Sequence, residues 1–353
     1  MVGLPLACSS VVLAQGGLRD PFPVALQLAD LDGEIGFRVD GASTDLLSGS
    51  GVASAGDVNG DGVDDFIIGA TGVRYSSTDP GSCYVVFGRD TTSGTPFPAT
   101  IELDGFDGLN GFRLEGVTPG DYTGQRVDSA GDVNGDGIDD LIISAPRADP
   151  GGRVDAGSNF VVFGRDATSG SSFPPVVLLA ELDGTAGFRV DGASEGDISG
   201  DSAASAGDIN GDGIGDVIIG AFGADPDGKD RAGSSYVIYG RDTASGGSFP
   251  ATINLGDLDG SDGFRLDGIL PRDYSGRSVS SAGDVNGDGI DDFVIGADGV
   301  GVGSQGDVGV SYVVFGRDTS SADPFPGIVP LDDLQAIGGF ELQGVRLGDR
   351  SGT

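Results

Sequence analysis

The 353 residues predict an all-β fold, a β-propeller of four-stranded antiparallel blades that forms part of a seven-bladed ring. Three features carry this: a long internal repeat, short apolar runs of strand character, and glycine- and aspartate-rich turns between them. Gly-Asp-Val-Asn-Gly-Asp-Gly begins at Gly56, Gly131 and Gly283, with an Ile variant at Gly207, at offsets of 75, 76 and 76 residues. Gly-Phe-Arg recurs at Gly36, Gly111, Gly187 and Gly263 and returns as Gly-Phe-Glu at Gly339. Phe-Gly-Arg-Asp or Tyr-Gly-Arg-Asp starts at Phe87, Phe163, Tyr239 and Phe315. Three markers keeping one period define an array.

Each unit reads as four strands, A to D. In the second, Arg126 to Ala130 leads into an Asp-rich loop, and Leu141-Ile142-Ile143 and Asn159 to Phe163 are buried-strand runs. Gly187 to Val190 alternates, and turn clusters lie at 146–152 and 165–172. No stretch of ten residues has helical apolar spacing. In an antiparallel meander the A–B and C–D turns share one end of a blade, and the B–C and D–A turns the other. The C–D connection, 89–100 in the first full unit, is long.

The boundaries follow from the markers. Residues 1–20 read as a leader whose n-region lacks Lys and Arg, an incomplete signal pattern. Residues 21–47 hold the outer strand of a preceding blade, and the repeats occupy 48–122, 123–198, 199–274 and 275–347. Residues 348–353 begin a fifth repeat. Five D strands against four each of A, B and C suggest a piece of a longer ring, with further blades from a longer chain. Seven blades would need roughly 530 residues at this period. A smaller closed ring, completed by the N-terminal segment as an extra strand, is the alternative.

Composition bounds the chemistry. The chain has no His, which excludes Ser-His-Asp and Cys-His relays and His metal sites. A formal charge of −36 makes nucleic acid and anionic bilayers poor partners and cations good ones. No apolar run reaches 18 residues, so membrane insertion is not expected. Only six of the 55 acids are glutamates; aspartate suits turns and oxygen-ligand loops.

The Asp-rich loops concentrate that charge. Each reads Asp-x-Asn-Gly-Asp-Gly-x-x-Asp, with side-chain donors at positions 1, 3, 5 and 9 and a backbone carbonyl at 7. The sets are Asp57, Asn59, Asp61, Val63 and Asp65; Asp132, Asn134, Asp136, Ile138 and Asp140; Asp208, Asn210, Asp212, Ile214 and Asp216; and Asp284, Asn286, Asp288, Ile290 and Asp292. Hard oxygens in this number suit Ca²⁺, about four ions in all, better than Mg²⁺, which demands octahedral geometry. Glycine at position 6 allows the sharp turn. An EF-hand needs a bidentate acid at position 12, where this chain has Ile68, Ile143, Ile219 and Ile295. Tight Asn-Gly and Asp-Gly hairpins without metal are the plainer reading; four copies that keep the ninth-position Asp favour the ion.

These residues resemble the FG-GAP repeat of integrin α chains and many bacterial surface proteins, over about residues 24–353 and most specifically at 130–149. The resemblance implies Ca²⁺ in the A–B loops and a role in adhesion or ligand recognition. The Phe-Gly half of the family signature is replaced by Ser48-Gly49, Thr123-Gly124, Ser199-Gly200 and Ser275-Gly276.

The expected function is therefore non-catalytic adhesion or recognition by a secreted or cell-surface propeller. A protein or glycan ligand would meet the face opposite the calcium loops, at 79–82, 117–123, 146–157, 193–199, 223–233 and 269–275. Tyr122 and Tyr274 lie there and could contact a ligand or pack on the next blade. The alternatives are an accessory region of a secreted hydrolase or lyase and a structural surface array. Arg89-Asp90, Arg165-Asp166, Arg241-Asp242 and Arg317-Asp318 are expected to anchor the C–D connection by charge pairing. Cys83 is expected as a free thiol, with no disulfide to Cys8.

Overall fold

A computed structural model describes residues 31–42, 47–72, 79–93, 96–301, 308–320, 324–346 and 348–353. The leader and Cys8 lie outside them. The fold is the β-propeller array that the repeat predicts, apart from three-residue 3₁₀ turns and one helical turn at Leu334–Ile337.

The inner strands of each blade are the apolar runs. B strands Asp65–Ala70, Asp140–Ala145, Asp216–Ala221 and Asp292–Ala297 pair with C strands Ser82–Val86, Ser158–Val162, Ser234–Ile238 and Val310–Val314. Packed on both faces, they are buried almost throughout, so they read as unbroken Val/Ile runs rather than alternating ones. The A strands Ser48–Gly56, Arg126–Gly131, Ser202–Gly207 and Ser275–Gly283 lie on one side. The D strands Gly111–Glu115, Gly187–Asp191, Gly263–Asp267 and Gly339–Gln343 lie on the other.

The count of four strands per blade needs one correction. The first three blades carry a fifth, outer strand in parallel pairing, supplied by the next unit: Val176–Leu178, Thr252–Asn254 and Ile328–Pro330. Thr100–Glu102 does the same for Arg38–Asp40. The long C–D connection is therefore a clip that crosses to the neighbouring blade.

Each clip delivers a Phe-Pro pair, a marker in the same period that the strand patterns had not drawn attention to. Phe173 stacks on Phe112 at 4.0 Å, Phe249 on Phe188 at 4.4 Å, Phe325 on Phe264 at 4.3 Å and Phe97 on Phe37 at 4.5 Å. The arginine of the Gly-Arg-Asp marker lies over the same ring: Arg165 over Phe173 at 4.8 Å, Arg241 over Phe249 at 5.0 Å. Charge pairing is seen as well, with Arg241 against Asp262 at 3.1 Å. The aspartates of the same marker also cap the turn that follows, as Asp166 does by accepting from the Ser169 N–H at 3.0 Å.

Hydrophobic cores form between blades. One joins Ile67, Val85 and Phe112 of the first to Leu141, Ile143 and Phe160 of the second, with Phe173 and Val177 of the clip. The altered signature corner packs backbone on backbone: a Cβ at Gly69 would stand 1.9 Å from the Gly124 carbonyl oxygen, and one at Gly220 2.0 Å from that of Gly276. Cys83 is fully buried and free.

Candidate metal-binding loops and the opposite face

A bulge launches every Asp-rich loop. Register slips between Ser54 and Gly56, Ser129 and Gly131, Ser205 and Gly207, and Ser281 and Gly283. Each of these glycines is left-handed, with φ from +65° to +79°, and donates its N–H to the serine hydroxyl before it. Such a bulge bends the strand end and aims the loop outward. At position 6, Gly62, Gly137, Gly213 and Gly289 have φ of +86°, +85°, +87° and +91°.

Within a loop the side chains turn toward its own N–H groups. Asp57 accepts from Asp61 at 3.0 Å and from Gly62 at 2.7 Å; Asn59 accepts from Asp61 and Asp61 from Val63, each at 2.9 Å. The other three loops repeat the pattern. Among the described residues, no three acidic groups converge at metal-ligating distance. Three like charges in nine residues repel, and the amides take them up singly.

The ninth-position aspartates do something the spacing did not disclose. Asp140 is fully buried and accepts from Val133 at 2.9 Å and from Gly164, just past the C strand, at 2.8 Å. Asp65, Asp216 and Asp292 make the same two bonds to Val58 and Gly88, Ile209 and Gly240, and Val285 and Gly316. Each therefore ties the loop to the third strand of its own blade.

Burial is the main cause that pushes Asp65 up to about 7 and Asp140 and Asp216 well above the usual carboxylate range. Their bonded N–H groups oppose it. The charges at positions 1 and 5 add to the rise: Asp57 and Asp61 on Asp65, Asp132 and Asp136 on Asp140, Asp208 and Asp212 on Asp216. In these three loops the ninth acid thus senses the other two.

That coupling, and a donor set made wholly of oxygen, fit a divalent hard cation. Asp, Asn, Asp, a main-chain carbonyl and Asp would hold it, and a carboxylate that already accepts two N–H bonds retains lone pairs for an ion. When bound, the ion would neutralise the mutual repulsion.

The loops are also stapled between blades. Arg165 and Ala167 donate their N–H groups to the Val58 and Asn59 carbonyls at 2.9 and 2.8 Å; Arg241 and Thr243 do so to Val133 and Asn134, and Arg317 and Thr319 to Ile209 and Asn210. Asn59, Asn134 and Asn210 are consequently buried, whereas Asn286, in the last loop, is exposed.

At the other end of the second blade lies a hollow of about 760 Å³ lined by Tyr122, Arg147, Asp149, Asp155, Phe160 and Arg189. It joins a D–A turn to a B–C turn. Tyr122 has a left-handed φ of +59°; Tyr274, at +54°, meets Phe222 edge-on at 6.2 Å. One tyrosine therefore faces the hollow, and its counterpart packs on a neighbouring aromatic ring. No helix among the described residues is long and apolar enough to cross a membrane.

Comparison with known proteins gives two findings. The family model described as FG-GAP repeat matches residues 48–86, 117–161, 196–238 and 275–314. The chain is also similar to phosphatidylinositol-glycan-specific phospholipase D of Bos taurus, 33% identical over 117 residues, a third of this chain and 13% of that protein. The Mus musculus and Rattus norvegicus proteins of that name are 32% and 33% identical over 128 residues, 36% of this chain and 14% of theirs. The likeness thus spans about one-seventh of those relatives.

Proposed function

The chain belongs to the FG-GAP repeat family, and from that premise we propose that it is a calcium-stabilised, extracellular β-propeller that acts without catalysis in adhesion or ligand recognition. The observation that carries the reading is the fourfold recurrence of one nine-residue oxygen loop at the same end of every blade, stapled to the neighbouring blade in three of the four. The ligands at each loop are those read from the sequence. Four ions would move the formal charge from −36 to −28 and stiffen the A–B ends. Millimolar Ca²⁺ outside cells would keep even weak sites filled.

The opposite face is the recognition surface. Its loops differ from unit to unit on a fixed scaffold, as expected where contacts rather than folding set the sequence. The hollow beside Tyr122 offers aromatic, cationic and carboxylate groups to a protein or glycan. One finding favours a second reading: the relatives bear the name of a phospholipase, so this region could serve as the accessory propeller of a secreted hydrolase.

Calorimetric titration with Ca²⁺ tests the metal, and glycan-array and cell-binding assays with and without EDTA test the recognition. Uptake of about four ions and chelator-sensitive binding are expected. A chain that takes up no Ca²⁺, or ligand binding indifferent to Tyr122→Ala and Arg147→Ala, would sink the proposal.

A further inference from the structure

The eighth position of each loop is outside the ligand set, yet in two loops it reaches into the preceding one. Asp139, in the second loop, accepts through Oδ2 from the Asp57 N–H of the first at 2.9 Å. Asp291, in the fourth, accepts likewise from the Asp208 N–H of the third at 3.0 Å. The Asp291 N–H returns a bond to the Asp208 carbonyl at 3.2 Å.

The glycine before the first ligand makes room for this contact. A Cβ on Gly56 or Gly207 would stand 2.2 or 2.3 Å from that same Oδ2. The corresponding Gly131 and Gly283 have no carboxylate against them: the nearest group to the first is the Ser205 hydroxyl at 3.2 Å, and nothing lies within 4 Å of the second. Between the second and third loops the eighth residue is Gly215, which has no carboxylate to offer. Its N–H donates to the Asp132 carbonyl at 2.9 Å instead.

We propose that Asp139 and Asp291 are positioning residues that tie the four metal loops into two coupled pairs, first with second and third with fourth. The inference rests on the calcium reading above. Each fixes the main chain of the first ligand, Asp57 or Asp208, and so the direction of its carboxylate. An ion that orders the second loop sets Asp139, which sits beside the ligand Asp140, and Asp139 in turn sets Asp57. By linkage the effect is reciprocal: filling the first site tightens the second by the same factor.

The test is calorimetric titration of the full chain with Ca²⁺, comparing wild type with Asp139→Ala, Asp139→Asn, Asp57→Ala and the double variant Asp57→Ala/Asp139→Ala. Removing a partner that orients a ligand typically weakens a site by about tenfold or more. Asp139→Ala should weaken one site to that extent, and Asp139→Asn, which keeps an acceptor oxygen, should restore it. In the Asp57→Ala background, where the first site is already lost, Asp139→Ala should change nothing at the sites that remain.

Asp291→Ala repeats the test independently on the other pair, and Asp64→Ala, at the same loop position but exposed, should titrate as wild type. A wild-type isotherm for both Asp139→Ala and Asp291→Ala would overturn the pairing. So would a further weakened site in the double variant, because Asp139 would then act on its own loop. If wild type itself takes up no Ca²⁺, the calcium reading falls and takes this inference with it; the other two outcomes leave that reading standing.

Discussion

Asp140 and Asp136 belong to one loop, but their substitutions should separate two roles. Asp140→Ala strands the buried Val133 and Gly164 N–H groups, at about 1–3 kcal/mol for each unpaired donor. Its melting temperature should therefore fall in EDTA as well as in Ca²⁺. Asp136 is exposed and, among the described residues, bonded only within its loop; Asp136→Ala should lower the melting temperature in Ca²⁺ and leave the value in EDTA nearly unchanged. Equal losses for Asp136→Ala in both buffers would count against its role as a ligand. The sequence reads both residues as ligands because spacing lists donors. That Asp140 also serves as a buried acceptor depends on where the Gly164 N–H arrives, 24 residues along the chain.

Asp197 makes a pH prediction at the same scale. Burial first, then the Asp225 charge, raises it to about 6 against the Ser194 N–H, Arg265 and Arg153. A folded value above the unfolded 3.8 means that folding favours the protonated form. This contribution is full below pH 3.8 and is lost as the pH rises through 6. Asp197→Asn removes it while keeping an acceptor for the Ser194 N–H, which now bonds Oδ2 at 2.8 Å. The melting temperature of Asp197→Asn relative to wild type should rise between pH 4 and pH 7. A difference that is flat with pH would refute this.

The element that repays study is the clip. Its Phe-Pro pair recurs with the 76-residue period, so the signal was present in the chain. A three-residue strand after a long polar loop nevertheless carries too little alternation to be read as one. The residues that give it purpose, Phe112, Phe188 and Phe264, lie on another unit and are fully buried, with the clip's ring stacked on each. Phe173→Ala removes the stack on Phe112 and the seat of Arg165. It should cost about 3–5 kcal/mol in urea unfolding, as large aromatic truncations in cores do. Arg165→Gln should cost about 0.5–1 kcal/mol. A Phe173→Ala effect below that of Arg165→Gln would show that the clip contributes little.

For the whole molecule, blades are joined by apolar cores, clips and loop-to-loop hydrogen bonds, so stability should respond to metal across the array rather than loop by loop. Chelation should lower the melting temperature as one cooperative shift. It should also expose Cys83, a fully buried thiol that burial holds far above its usual pKa; its reaction with a thiol reagent should be slow in Ca²⁺ and faster in EDTA. Rapid labelling in saturating Ca²⁺ would contradict the packing described. The last blade shows what the joints do: its D strand has no fifth strand among the described residues, and Phe340 and Leu342 are 42% and 52% exposed.

By itself the sequence determined the repeat, the strand character of each unit, the oxygen-donor side chains of the Asp-rich loops and the exclusion of histidine catalysis. These depend on residue type and spacing along the chain, which local backbone preferences make legible. Only the tertiary structure decided that the C–D connection crosses to the neighbouring blade, that the ninth aspartate is a buried acceptor, and that Asp139 and Asp291 reach the loop before their own. The Gly164–Asp140, Asp57–Asp139 and Asp208–Asp291 bonds join residues 24, 82 and 83 positions apart. Hydrogen bonds and ring stacks act over a few ångströms of space, and the winding of the chain around the propeller, not its order, sets which groups come that close.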